Sequence, residues 1–440
     1  MRLGDIATVL NGYAFKAELF NRTEGTPLIR IRDVGRDNSD TRYSGEFESK
    51  YLVQPGDLLV GMDGDFNCAR WRGHPSLLNQ RVCKISLATD FYDAGFLDFV
   101  LPGYLRAIND ATSSITVKHL SSRTIQDIPL PCPPIDEQRE IVAELEKQLS
   151  RLDEAVANLK RVKANLKRYK ASVLKDAVEG RLVPTEAELA QRDGRSFETG
   201  AQLLQRVLQA RREKWSARSR YVEPLPADTR GLPALPVGWV WASLDQLSDF
   251  ITKGTTPSAS KLFDGDGDVQ FLKVYNLTFD GSLNHRHKPA YVSKETHEGE
   301  LARSQVRPGD VLINIVGPPL GQVSMVPNHF ETANINQAIA RIRPIEPVHS
   351  RFVATALMCN DVMRWAISRG KTTAGQANLT LELCRALPTP LPPFAEQILI
   401  VAEVDRRLSL VRGVEAEVDA NLKRADVLRQ AVLKKMFGVD

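Results

Sequence analysis

Four short stretches hold residue types that could carry chemistry, and each departs from the pattern its chemistry needs. "RGKTT" at Arg369 offers the Gly-Lys-Thr end of a phosphate-binding loop, in which backbone amides cradle phosphates and the lysine neutralises them. That loop needs a glycine five places before Gly370, where this chain has Trp365. "DGDGD", from Asp264 to Asp268, offers oxygen ligands for calcium, but the sharp turn at the sixth position wants glycine and finds Val269. His285 and His287 in "NHRHK" are possible metal ligands, yet the chain has no HExxH spacing and no histidine paired with cysteines. "GPPLG" at Gly317 lacks both ends of the Asn/Asp-Pro-Pro-aromatic motif with which amino-methyltransferases hold a flipped base. No glycine-rich strand-to-helix turn for a nucleotide cofactor stands out. The chain therefore reads as non-catalytic, with no catalytic residue, metal site or cofactor of its own.

The bulk properties say what must hold whatever chemistry remains. At 440 residues the chain is too long for one core, so two domains with connectors are expected. Its 42% hydrophobic and 25% charged content is that of an ordinary globular protein. No apolar run approaches a membrane span, and "MRLGDIATVL" lacks the basic-then-apolar layout of a signal peptide. Five scattered cysteines (Cys68, Cys83, Cys132, Cys359, Cys384) form no CxxC pair, which fits a reducing cytoplasm and thiols serving as small core residues. Lys and Arg cluster at Asn158 to Lys170 and Arg206 to Arg220. Such runs are either solvated helix faces or surfaces for phosphate.

The organising feature is an internal repeat. "LIRIRDV" matches "FLKVYNL", with Ile29 opposite Leu272, and "QPGDLLV" matches "RPGDVLI", with Pro55 opposite Pro308. "LLNQRVCKI" matches "NINQAIARI", pairing Asn79 with Asn336. Pro133 meets Pro392, and Gln138 meets Gln397. The separation grows only from 243 to 259 residues, so the second copy keeps the order and carries longer loops. Matched elements with unmatched loops describe one scaffold bearing two sets of surface residues.

Within each copy the first part reads as mixed α/β. "PLIRIRDV" and "QFLKVYNL" alternate as half-buried strands do, and "PGD" sets a turn into "LLVGM" or "VLINIV". "FVATALMCNDVMRWAIS" has helical spacing through Phe352, Ala356, Leu357, Met363 and Ala366. The second part is helical. After Pro131, Pro133 and Pro134 a helix can start, with Asp136 and Glu137 near its positive end. Leu145, Leu152, Leu159, Leu166 and Val173 recur every seventh residue, and Leu149 and Val156 fill intermediate places, making a coiled-coil seam. Val404, Leu408, Val411, Val418, Leu422 and Val432 repeat it, with Gly413 a weak point. Two antiparallel helices packed on each other satisfy both seams, and 44 residues would make a spacer of roughly 65 Å.

The expected fold class is α/β plus coiled coil: two similar mixed α/β domains separated by two long antiparallel helices in a pseudo-twofold repeat. The expected boundaries are 1–130 for the first α/β domain, 131–182 for the first helical spacer, 183–238 for a connector, 239–388 for the second α/β domain and 389–440 for the second spacer. The connector should hold an amphipathic helix (Leu203, Leu204, Val207, Leu208, Trp215) and a proline-punctuated linker.

This arrangement resembles the specificity subunit of type I restriction–modification systems, over essentially the whole chain. The most specific elements are "PLPCPPIDEQREIVAEL" with "KRYKASVLKDAVEGRL", their counterparts "PLPPFAEQILIVAEV" and "LRQAVLKKMFG", and the lead-in "GLPALPVGWVWASL". The resemblance implies two target-recognition domains, each reading half of a split site in double-stranded DNA, with helices that fix the gap. It implies docking of two modification (methyltransferase) subunits and of restriction subunits, so that S-adenosylmethionine, ATP and Mg belong to those partners.

Base edges specify sequence and phosphates set register, so the readers should lie on loops that differ between copies and at matched strand ends. The candidates are Arg30, Arg32, Arg36, Arg70, Arg72 and Lys118 in the first domain, and Lys273, Tyr275, Asn276 and Lys371 in the second. Asn79, Gln80, Asn336 and Gln337 are the same in both copies, so they cannot separate two half-sites; a structural or backbone-contact role is expected. His119 aligns with Asn378. The competing reading is a coiled-coil scaffold with peptide-binding α/β domains.

Overall fold

The computed structural model describes residues 1–112, 118–215, 220–265, 267–373 and 376–437. The chain forms two compact units, Met1–Lys160 with Asp419–Asp440, and Arg161–Val418.

The first unit holds an antiparallel sheet in the order Ala7–Asn11, Val82–Leu87, Leu58–Gly61, Cys68–Arg70. A second sheet runs Phe20–Asn21, Arg42–Tyr43, Thr26–Ile29, Ser76–Leu78, Leu52–Val53. The second unit has the same two orders. They are Ser248–Lys253, Ile339–Pro344, Val311–Asn314, Val323–Met325, and Phe263–Asp264, Ala290–Val292, Val269–Leu272, Ala333–Ile335, Gln305–Val306. In both five-stranded sheets the same pair is parallel: Thr26–Ile29 with Ser76–Leu78, and Val269–Leu272 with Ala333–Ile335. Register is kept too, since Leu58 faces Ile85 and Val311 faces Ile342. A parallel pair needs a crossover connection, so meeting it at the same place in two otherwise antiparallel sheets marks one topology used twice.

Two predicted elements are shorter than their patterns. The strands of "PLIRIRDV" and "QFLKVYNL" stop at Ile29 and Leu272, and each chain then enters a 3₁₀ turn, Ile31–Asp33 or Val274–Asn276. The cause is local. The Asp33 carboxylate accepts the Arg30 backbone N–H at 3.0 Å, and the Asn276 side-chain oxygen accepts that of Lys273 at 2.9 Å, which diverts these amides from a ladder. The helical stretch after Phe352 is likewise two helices, Ser350–Met358 and Asn360–Arg369, parted at Cys359, whose backbone is extended (ψ 128°).

The two long helices span Ile135–Val178 and Phe394–Phe437, each 44 residues. Along their seams Leu145, Val173, Val404, Leu408, Val411 and Val418 are buried, while Leu149, Leu152, Val156, Leu159, Leu166, Leu422 and Val432 are half-buried. In the second unit Val173, Leu174, Ala177 and Val178 share one core with Ile400, Val401, Val404 and Leu408. Lys170 pairs there with Glu415 at 2.6 Å, so residue numbers fall on one helix as they rise on the other: the pair is antiparallel. In the first unit Asp153 pairs with Arg429. Gly413 lies inside its helix without breaking it.

A buried glutamine fastens each helix to its α/β domain. Gln138 donates to the carbonyls of Phe91 (3.1 Å) and Pro133 (2.8 Å) and accepts the Asp93 N–H at 2.8 Å. Gln397 donates to the Pro392 carbonyl (3.0 Å) and accepts the His349 N–H at 3.0 Å.

The connector holds two helices instead of the single one expected, Glu186–Asp193 and Gly200–Glu213, because Thr185 and Thr199 each cap a separate start. Trp215 lies beyond the second helix and is exposed. The connector packs on the root of the second long helix, where Glu396 is fully buried. Its carboxylate accepts the Trp239 Nε1–H at 3.0 Å and the Glu186 backbone N–H at 2.9 Å. Burial nevertheless pushes the Glu396 carboxyl up from the usual 4.5 to about 7. The folded chain thus holds a proton that the unfolded chain releases, and this stabilisation is complete below about pH 4.5 and lost as pH rises through 7. Comparing urea unfolding of the parent with Glu396→Gln should show the parent losing roughly 3 kcal/mol more between pH 5 and 8; parallel pH profiles would contradict this.

Candidate nucleic-acid interface

In the first domain the structure brings two predicted segments together. The turn after Ile29 packs on the loop after strand Cys68–Arg70, with Ile29, Val34 and Trp71 in one apolar cluster. Gly73 lies so close to this turn that a Cβ would come within 2.4 Å of the Asp37 carbonyl oxygen. Arg30, Arg36 and Arg72 are exposed on this surface, and no described side chain or carbonyl holds their guanidinium groups. Arg32 is exposed as well, with weak contacts to Thr41 Oγ1 (3.4 Å) and Asp33 (3.8 Å).

Arg70 and Lys118 are committed elsewhere. Arg70 pairs with Asp98 and donates to the carbonyls of Gly56 (2.5 Å) and Ala94 (3.1 Å), tying its strand to helix Ala94–Ala111. Lys118 Nζ donates to the backbone carbonyl (2.6 Å) and side-chain oxygen (2.9 Å) of Asn109.

The repeated Asn-Gln pairs occupy one matched turn. Asn79 N–H donates to the Ile29 carbonyl at 3.3 Å, and Asn336 N–H to that of Leu272 at 3.1 Å. A glycine backbone packs against each turn: a Cβ on Gly12 or Gly254 would lie 2.0 Å from the carbonyl oxygen of Asn79 or Ile335. Asn79 and Asn336 each keep a buried side-chain oxygen without a described partner, whereas Gln80 and Gln337 are exposed.

In the second domain Lys273 Nζ lies 5.9 Å over the Tyr275 ring. The Tyr275 hydroxyl donates to the Lys288 carbonyl at 3.0 Å, and its ring stands edge-on to His287. Asn276 is buried and fully engaged, donating to the carbonyls of Asn284 (3.0 Å) and His287 (2.9 Å) besides accepting from Lys273. Its amide organises the "NHRHK" loop instead of facing outward. The Lys371 side chain lies outside the described residues; its backbone belongs to the hairpin Lys371–Thr373 with Gln376–Asn378.

Sequence reading passed over Arg81, an exposed residue in left-handed backbone (φ 72°), a feature that no residue spacing reveals. Among the described residues no three His, Cys, Asp or Glu side chains are grouped as a metal site, and no helix is long and apolar enough to cross a membrane.

Comparison with known proteins agrees with this two-headed layout. Residues 1–168 match the model of the type I restriction modification DNA specificity domain. The chain is 35% identical to the type I restriction enzyme EcoBI specificity subunit of Escherichia coli, over 99% of this chain and 84% of that protein. It is 21% identical to the EcoKI specificity subunit of Escherichia coli strain K12, over 98% and 86% of the two chains. A solved structure described as the basis of complex assembly and conformational transition of the type I R-M system matches with TM-score 0.63 at 18% identity, covering 99% and 96%; that likeness is one of fold. With the duplicated sheets, the paired helices and a full-length relative in agreement, the chain belongs to the family of type I restriction enzyme specificity subunits.

Proposed function

We propose that this chain is the DNA-reading, non-catalytic subunit of a bacterial type I restriction–modification complex working in the cytoplasm. Each α/β domain reads one half of a split, asymmetric site in double-stranded DNA. The paired helices set the gap between halves and dock two methyltransferase subunits, with restriction subunits joining the assembly. S-adenosylmethionine, ATP and Mg act on those partners, and this chain binds none of them. The observation that carries the reading is the repeated topology with different surface residues: exposed Arg30, Arg36 and Arg72 on one copy, half-buried Lys273 and exposed Tyr275 on the other. Arg forks onto guanine and stacks or phosphate contacts add register, so two unlike surfaces on one frame suit two unlike half-sites.

The test is a competition assay with the chain assembled on its methyltransferase subunits. Binding should discriminate one bipartite sequence from random DNA by at least about 10³-fold. Raising salt from 50 to 200 mM should weaken it on the order of 10³-fold, because released counterions drive phosphate binding. Salt-insensitive retention, or equal affinity for all sequences, would instead favour a protein-binding scaffold.

A further inference from the structure

Three segments of the first domain converge on one carboxylate. Asp63 follows strand Leu58–Gly61, Arg81 lies in the turn before strand Val82–Leu87, and His119 pairs with Asp63 as an antiparallel bridge. The Asp63 oxygen sits 2.7 Å from His119 Nδ1 and 3.3 Å from Arg81 Nη1. The side chains of Asp63, Arg81 and His119 are 22%, 55% and 50% exposed. The carboxylate is therefore a recessed anchor for the more exposed Arg81 and His119 side chains. Arg81 Nε and Nη2 and His119 Nε2 have no partner among the described residues.

Arg81 is also held in left-handed backbone (φ 72°), costly for any residue with a Cβ, and the Met62 N–H locks its carbonyl at 2.8 Å. An exposed ion pair adds little stability, so packing alone gives weak reason for this arrangement.

The second domain supplies the comparison. There Val316 and Asn378 form the same isolated antiparallel bridge as Asp63 and His119. Ala338, two residues after Asn336, stands where Arg81 stands two residues after Asn79. The frame is kept while its three side chains change from Asp, Arg and His to Val, Ala and Asn. Positions that build the frame behave oppositely: Gly12 and Gly254, Asn79 and Asn336, Gln138 and Gln397 are identical pairs.

We propose that Asp63, Arg81 and His119 form a base-reading site of the first domain, with the free Nε/Nη2 edge of Arg81 taking the O6 and N7 acceptors of a guanine. This rests on the DNA-reading function above and adds specificity-determining residues to it. Asp63 orients the fork and holds the His119 ring through Nδ1, which lies 2.7 Å from the carboxylate and 3.3 Å from Arg81 Nη1, so that Nε2 is left without a described partner. The site differs from Arg30, Arg36 and Arg72, which lack an orienting carboxylate of this kind.

The test uses the chain assembled with its methyltransferase subunits, a randomised DNA library and sequencing of modified bases. In the parent complex a split motif should appear with guanine required at one position of one half. Arg81→Gly removes the side chain while accepting φ 72° without strain, so assembly is retained. It should relax that single guanine by about tenfold or more, leaving every other position and the salt slope unchanged. Asp63→Asn should relax the same position. If both variants keep the parental motif, or if Arg81→Gly weakens all sequences alike and lowers the salt slope by about one, the base-reading site is overturned while the DNA-reading function survives. A parent complex that modifies DNA without any preference would overturn both.

Discussion

Exchanging residues 1–130 for the corresponding segment of a relative with another target should change one half of the recognised sequence and leave the other half intact. Each mismatched base pair costs about 1–3 kcal/mol, roughly additively, so replacing the readers of several base pairs should switch preference by at least about 10³-fold. The junction is suited to such exchange. Gln138 holds the first domain through the backbone groups of Phe91, Asp93 and Pro133, and Gln397 holds the second through those of His349 and Pro392. A joint made to main-chain atoms tolerates divergent side chains on the domain it holds. The check is to sequence modified bases from the hybrid complex. A hybrid that alters both halves, or neither, would show that the two domains do not read separately.

Trp239→Ala should strongly destabilise the second unit. The indole is 9% exposed, joins the core containing Phe352 and Val404, and stands edge-on to Phe352 with ring centroids 6.5 Å apart. Truncating a buried Trp costs about 3–5 kcal/mol. The loss also leaves the buried Glu396 carboxyl with only the Glu186 N–H, and an unsatisfied buried polar atom adds to the penalty. Urea unfolding of the full chain should show this loss. Trp239→Phe, which restores ring packing but not the N–H donor, should fall between parent and Ala variant. A loss below about 1 kcal/mol for Trp239→Ala would mean that the connector and lead-in do not support the root of the second helix.

The sequence was most legible where one physical demand repeats. Seam residues such as Val173 and Val404 recur at heptad spacing because each must face a partner helix, and both are buried. The anchors Pro55 and Pro308 or Gln138 and Gln397 could be aligned because they close matched turns and joints. Legibility failed where a side chain bonds locally. "IRIRDV" alternates like a strand, but Asp33 closes a turn on the Arg30 amide, and in the second copy Asn276 does the same from a buried place. Asparagine looks alike in sequence whether it faces a base or three backbone groups. Arg70 resembles a free arginine until Asp98 on a distant helix is folded beside it. Arg81 is marked by a backbone angle set by its neighbours, which composition and spacing do not carry.

The most direct test compares modified bases across a genome with and without this gene, the methyltransferase partner being present in both. One bipartite, asymmetric motif should disappear completely when the gene is removed and return when it is restored. Persistence of the same motif without the gene would contradict the DNA-reading function, because recognition would then reside in another chain.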